Sequence, residues 1–482
     1  MTTFRELERR TAALASGFAE LGLTRGTRVA VLSPNRAEVI ETYLALGRVG
    51  AAFAPLNPTG VAAEQLVLAD HAEVSAFVGA AADLDRVGVR SSGRPVLAFE
   101  DSWFKITAST DPPGPVAPAD AGDILAVLHT SATTGQAKGV MTDHRSLRSI
   151  TLGFLAETEL EDDIVFLNCD PLYHGALVMP LIYLAAGATI VLMPSFTPQG
   201  CLATLERTRA THLWLVPEML RFLLHARGLA TADISSLREI LYSAAPMPPD
   251  VLAAAHERIG CRFRQIYGMT EAGGPIAQLR PENHDFSPAG MLGRTRSVGS
   301  VLPGVSLVVL DENGAQLPAH AMGEVYLAGD GLMRGYLNDA DATRDVLAGG
   351  WLRTGDLGRL DEDGFVYLVG RSKDIIVRGG QKVFPAEVER VLIEHQDIAE
   401  AAVVGVPDPD WGEVPVAFVA PVAGAKLSAD EVLRFCVSRL DNYKRPIGIH
   451  VTTALPKNPA GKVLRRQLRA WLDAESPSEV RE

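Results

Sequence analysis

Cysteine is scarce in this chain. Cys169, Cys201, Cys261 and Cys436 are the only four among 482 residues, and no two stand in a CxxC spacing. That scatter argues against a disulfide framework or a thiolate zinc site and fits a reducing, cytoplasmic setting. The eleven histidines include no HExxH pattern, so a helix-borne zinc centre of that kind is not expected. Excess positive charge is lacking too. The formal net charge is -13, which argues against broad binding to nucleic acid or to an anionic membrane. The N-terminus, MTTFRELERRTAALASGF, has no apolar signal core. Instead Leu7, Thr11, Leu14, Phe18 and Leu21 recur at helical spacing. Charge of either sign vanishes from Gly175 to Leu205, and the run ALVMPLIYLAAGATIVLM inside it approaches membrane-spanning length. Pro180 and the Gly187-Ala188-Thr189 break divide that run, so it reads as a buried helix followed by a short strand, not as a membrane span.

What is present is a soluble-protein balance, with 47% hydrophobic and 21% charged residues, in a chain too long for one ordinary core. RVAVLSP, AAFAPLN, VSAFVG, ILAVLHT, IVFLN, ATIVLM and HLWLVP read as strands with helical patterns between several of them. This alternation predicts an α/β architecture of layered subdomains with much parallel sheet. A Pro-, Gly- and Asp-rich stretch, 107–122, reads as a surface loop. Beyond residue 298 the texture becomes β-rich, with hairpin turns at DENG and DEDG. A helix near AEVERVLIEH and two strands, AAVVGVP and VAFVAPV, then indicate a small α+β domain. The expected division is a large domain, 1–372, and a small mobile one, 373–482.

Five segments carry candidate chemistry. HTSATTGQAKGV, His129 to Val140, sets four hydroxyls, two glycines and Lys138 in a short loop after a strand. Such a loop suits phosphate oxygens, although it is not a Walker A sequence. In YGMTEAGG the hydroxyl of Thr270 stands beside the carboxylate of Glu271, a hard oxygen pair fit for Mg²⁺. The plainer reading makes Thr270 a helix cap. Asp356 in GWLRTGDLGRL can accept from a ribose diol or simply stabilise a turn. GRSKDIIVRGGQKVFPAEVE combines Arg371 and Lys373 with the flexible pair Gly379-Gly380 and doubles as an interdomain linker. PKNPAGKVLRR presents Lys462 in a loop-like stretch, where a lysine is ordinarily just solvated.

No one segment decides the matter, but their order does. Together with PLYHGALV, YSAAPMP and GEVYLAG, they resemble the adenylate-forming superfamily of acyl- and aryl-CoA synthetases, peptide-synthetase adenylation domains and firefly luciferase. The resemblance runs from about residue 4 to residue 470. It implies an ATP- and Mg²⁺-dependent enzyme that makes an acyl-adenylate, releases pyrophosphate and transfers the acyl group to coenzyme A. It further implies that Thr130, Ser131, Thr133, Thr134, Gly135 and Lys138 hold phosphates. Ala244, Ala245 and Pro246 would wall the adenine, with Tyr267 near the base. Thr270 would meet the α-phosphate, Glu271 would bind Mg²⁺, and Asp356 and Arg371 would fix the ribose. Lys462 would drive adenylation. His174, Gly268 and Met269 would line the acyl pocket. Lys373 would be the hinge, and Gly380 would line the thiol tunnel.

The chain departs from the family pattern at Ala132 and Ser243, where glycine is usual, and it starts near the family's first helix. Without Asp, Glu, Lys or Arg between His174 and Glu206, the pocket is expected to prefer an uncharged apolar or aromatic acyl group. Other readings stay open. The acceptor could be a carrier-protein thiol or an amine, the activated group could be another oxyanion such as nitrite, or the chain could bind nucleotide without catalysis.

Overall fold

The computed structural model describes the chain apart from residues 104–105, 107–115, 131–136, 160, 423, 458–462 and 476–482. Two seven-stranded sheets form the heart of the first part. The first contains β1 (Arg28–Leu32), β2 (Ala52–Leu56), β3 (Ala76–Gly79), β4 (Val96–Ala98), β5 (Ile124–Thr130) and β6 (Lys138–Asp143). The second contains β7 (Val165–Asn168), β8 (Thr189–Leu192), β9 (His212–Leu215), β10 (Glu239–Tyr242), β11 (Arg262–Met269), β12 (Gly274–Leu279) and β13 (Ser300–Val301). All seven strands read from alternation in this region are present. β1, β2 and β3 are buried almost throughout, as expected of parallel strands covered on both faces.

The later strands are β14 (Val305–Leu310), β15 (Gly323–Gly329), β16 (Gly335–Tyr336), β17 (Leu347–Ala348), β18 (Trp351–Leu360) and β19 (Val366–Arg371). They are followed by β20 (Ile376–Arg378), β21 (Gln381–Val383), β22 (Ile398–Asp408), β23 (Gly412–Pro421) and β24 (Gly448–Val451). The first sheet runs β16-β6-β5-β2-β1-β3-β4 and the second β13-β12-β11-β10-β9-β7-β8. Each is parallel through its middle and antiparallel at one edge. The charge-free run resolves as expected into the helix Val178–Ala185 and strand β8, and among the described residues no helix is long and apolar enough to cross a membrane.

Cα packing divides the chain into two compact units, 1–307 with 327–352, and 308–326 with 353–482. The second unit thus takes in residues 308–326 and 353–372, which the sequence reading grouped with the large domain. Its sheet β21-β20-β23-β22, with β24 on β23, packs on the helices Pro385–Ile393 and Ala429–Val437 through Val388, Leu392, Val403, Val419 and Val432. The DENG and DEDG turns form with Gly314 and Gly364 at φ of 81° and 81°, a conformation open to glycine without strain.

The second sheet is keyed by a buried ion pair. Arg264 on β11 donates from Nε to Glu239 on β10 at 2.6 Å and from Nη1 to Gln278 on β12 at 2.9 Å. The two charged side chains are 5% and 2% exposed. A one-residue slip of any of the three strands would leave a buried charge without its partner, so the network enforces register. Glu239→Leu should therefore lower stability by about 3 kcal/mol, because it strands the guanidinium. Adding Arg264→Met should return much of that loss. Denaturant titration of the single and double variants checks both statements.

Candidate active site

Ligands of α/β sheets gather beyond the carboxyl ends of parallel strands. The first-unit residues named from the sequence lie at such ends. β5 finishes at Thr130, β10 leads into Ser243 to Pro246, and β11 carries Tyr267, Gly268 and Met269 and hands over to Thr270. His174 follows β7 after a short loop. Ser131, Ala132, Thr133, Thr134, Gly135 and Lys462 lie outside the described residues.

Thr270 does not cap a helix. The segment Thr270–Ala272 is a single 3-10 turn, and no side chain caps it. The turn is fixed from outside, since Met333 N–H donates to the Glu271 carbonyl at 2.9 Å. Gly273 approaches so closely that a Cβ there would lie 2.4 Å from the Gly331 carbonyl oxygen. The Tyr336 hydroxyl donates to Glu271 Oε1 at 3.0 Å. Burial, together with the Glu271 charge, pushes this phenol well above its ordinary value, so it stays a donor. Lys138, at the start of β6, holds its ammonium 4.6 Å from the centroid of the Tyr336 ring. The sequence reading missed Tyr336. It sits on a two-residue strand in MRGYLN, too short for any periodicity to show.

Two glycines lie beside or among the residues named from the sequence for the acyl pocket. Gly175 follows His174, and a Cβ on it would sit 3.9 Å from Thr270 Oγ1. At Gly268, on a β-bulge, a Cβ would lie 2.2 Å from the Gly274 carbonyl oxygen, so only glycine fits. His174 is pushed down to about 4 by burial, and its Nε2 has no partner among the described residues. The ring is therefore an uncharged wall at neutral pH. Near the end of β5, His129 is likewise pushed down to about 4, first by burial and then by its neighbour His71, whose Nδ1 lies 3.1 Å from His129 Nε2.

Ser243, where the family usually has glycine, does not hold the unusual backbone. Its neighbour Ala244 does, with φ of 72°. The Ser243 hydroxyl is buried and accepts from the Trp214 indole N–H at 2.9 Å. The extra oxygen therefore satisfies a core donor. Ala244 and Pro246 are exposed and Ala245 is half-buried.

The residues named from the later sequence form a set of their own in the second unit. Asp356 and Arg371 face each other across β18 and β19, and Arg371 Nε lies 3.2 Å from Asp356 Oδ1. Lys373 is exposed in the 3-10 turn Ser372–Asp374. The Gly379-Gly380 pair is not a flexible linker. It is the two-residue turn of the β20–β21 hairpin, with φ of 55° and 79°. A Cβ on Gly379 would meet the Trp411 ring at 2.8 Å.

The Glu271 carboxylate meets the Tyr336 phenol and follows the hydroxyl-bearing Thr270 in sequence. Its second carboxylate oxygen takes no hydrogen bond from the described residues. Such oxygen donors fit Mg²⁺, which takes one or two carboxylates and completes its shell with water and phosphate.

Comparisons with known proteins agree with this layout. The AMP-binding enzyme family matches residues 1–337, and the AMP-binding enzyme C-terminal domain matches residues 387–462. Feruloyl-CoA synthase of Amycolatopsis sp is 35% identical over 470 residues, covering 97% of this chain and 93% of its own. 2-Succinylbenzoate–CoA ligase of Bacillus cereus strain Q1 is 34% identical over 480 residues, covering 98% and 94%. The amide bond synthetase McbA from Marinactinospora thermotolerans aligns with a TM-score of 0.87 at 32% identity, covering 97% of this chain and 94% of that one.

Two outcomes follow from the geometry. Ser243→Gly should cost roughly 1–3 kcal/mol, because it leaves the Trp214 indole N–H buried without an acceptor. Thermal unfolding of the variant measures this. For His129 and His174 the folded value lies near 4 and the unfolded one near 6.5. Their contribution to stability is present above the unfolded value and is lost as pH falls through that window toward the folded one. Asp170, raised to about 7 by burial, acts in the opposite sense. The informative measurement is therefore a difference: His174→Gln should flatten the acid side of the stability profile relative to the parent chain.

Proposed function

The chain belongs to the AMP-binding enzyme family, the adenylate-forming superfamily that includes the acyl-CoA ligases, and on that premise we propose how its site works. It is an AMP-forming acid–thiol ligase. ATP and a carboxylic acid give an acyl-adenylate and pyrophosphate, and the thiol of coenzyme A then takes the acyl group and releases AMP. The observation that carries this reading is the joining of Lys138, Tyr336 and Glu271 at the carboxyl ends of β5 and β11.

A carboxylate attacking an α-phosphate brings two anions together, so catalysis consists of positioning and charge neutralisation. Mg²⁺, when bound, would supply positive charge beside the phosphates, and Glu271 with Thr270 would hold it. Lys138, Thr130 and the phosphate-loop residues Ser131, Thr133, Thr134 and Gly135 would hold the departing phosphates. Ala244, Ala245, Pro246 and Tyr267 would bracket the adenine. Asp356, oriented by Arg371, would accept from the ribose hydroxyls. Lys462 would neutralise the α-phosphate during adenylation. A turn about Lys373, between residues 1–372 and the mobile part 373–482, would then bring Gly380 to the thiol path. Cytoplasmic residence belongs to the same proposal and is supported by four unpaired cysteines.

The acyl group is apolar or aromatic. The neutral His174 ring and the charge-free stretch after it favour that class, and relatives named for feruloyl-CoA and 2-succinylbenzoate lend support to an aromatic acid. A second reading, an amine acceptor, is favoured by the likeness to an amide bond synthetase over nearly the whole chain. A carrier-protein thiol is the further alternative partner.

Pyrophosphate release should be faster with benzoate, cinnamate or octanoate than with phenylalanine or malonate. Turnover fastest with either of the last two would sink the pocket assignment. Mass spectrometry of the product formed with coenzyme A and amines both present separates thioester from amide. Lys462→Ala should abolish pyrophosphate release yet largely spare thioester formation from a supplied acyl-adenylate. Equal loss in both half-reactions would assign that lysine a structural role.

A further inference from the structure

Among the described residues, Tyr336 touches both a cationic and an anionic member of the proposed nucleotide site. Its hydroxyl meets Glu271 Oε1 at 3.0 Å, and Lys138 lies 4.6 Å from its ring centroid. The strand beneath it is held along its whole length. Tyr336 is in register with Val140, Leu337 N–H donates to the Gly139 carbonyl at 2.7 Å, and Arg334 N–H donates to the Met141 carbonyl at 2.8 Å. The Tyr336 N–H itself donates to Thr343 Oγ1 at 2.9 Å. The same segment reaches the far side of the site, where Met333 N–H holds the Glu271 carbonyl.

We infer that Tyr336 is a positioning residue that fixes the Glu271 carboxylate for Mg²⁺ with its hydroxyl and seats the Lys138 ammonium for phosphate with its ring. The inference rests on the reading of Glu271 as the Mg²⁺ ligand. A lone carboxylate can turn about its terminal bond and present either oxygen. A phenol that occupies one oxygen leaves the other aimed in a set direction, the usual service of a group behind a metal ligand. A lysine has four rotatable bonds, and the negative face of a ring gives its ammonium a preferred resting place. Phenylalanine in this position would supply only the second of these effects.

The test is calorimetric binding of a non-hydrolysable ATP analogue to the full chain, once with Mg²⁺ and once with EDTA. The quantity read is the gain in affinity that Mg²⁺ confers. Tyr336→Phe keeps the ring and the volume. Its affinity in EDTA should match the parent chain, while the Mg²⁺ gain should fall roughly tenfold. Lys138→Met should weaken binding in both conditions by a similar factor. Glu271→Gln should erase the gain. If Glu271→Gln keeps the full gain, the Glu271 reading fails and the inference with it. If Glu271→Gln loses the gain but Tyr336→Phe keeps it, the inference alone is overturned. Tyr336→His, which retains a donor, provides a second variant should the phenylalanine chain melt early. It should keep more of the Mg²⁺ gain than Tyr336→Phe, a rescue that mere packing would not produce, and the opposite order also overturns the inference.

Discussion

The Glu239–Arg264 pair is the constraint from which the first unit's site takes its geometry. Two opposite charges are withdrawn from water between adjacent parallel strands, and Gln278 on the next strand completes the guanidinium's hydrogen bonds. Burying such a pair is not a source of great stability, since apolar residues of similar size serve as well. Its value lies in specificity. With β10, β11 and β12 locked in one register, the residues that emerge at their ends also keep one alignment. The segment from Ser243 to Pro246 follows β10, and the turn with Thr270 and Glu271 follows β11.

A second constraint comes from chain path. After β15 the chain returns to the first unit, and β16 adds to the edge of the first sheet beside β6. Arg334 there pairs with the buried carboxylate of Asp143, and Ser146 Oγ donates to the Leu332 carbonyl at 3.0 Å. A segment far away in sequence thus braces both the strand that bears Lys138 and the turn that bears Glu271. Each sheet contributes half of the polar site, and this short return joins the halves.

Much of this was legible in the sequence, for identifiable reasons. The strands of the two sheets are short apolar runs set between helical patterns, and they announce themselves by composition. Glycine-, hydroxyl- and charge-bearing segments such as YGMTEAGG lie contiguous in the chain, so their chemistry is visible without a fold. Tyr336 was not visible, because its function depends on a two-residue strand whose partner lies almost two hundred residues earlier. The strained backbone at Ala244 was not visible, because a positive φ leaves no mark in residue type when a non-glycine bears it. The Gly379-Gly380 pair was misjudged because two adjacent glycines look like slack until the flanking strands are seen to pair. Residues 308–326 and 353–372 pack with the second compact unit, and no local pattern encodes that packing.

The bulge at Gly268 divides the site into a fixed part and a variable part. Any side chain there would strike the backbone of Gly274, an obstacle that no rotamer can avoid. Neutral drift at this position is closed, since every non-glycine allele must first remake the bulge. On the opposite side, the chain after His174 meets Thr270 only at ordinary contact distance, and Gly175 is exposed. If these two segments line the acyl pocket as proposed, lineages that keep this bulge explore new acids through the wall after His174. Sequence divergence among them should be lopsided, dense after His174 and silent at Gly268.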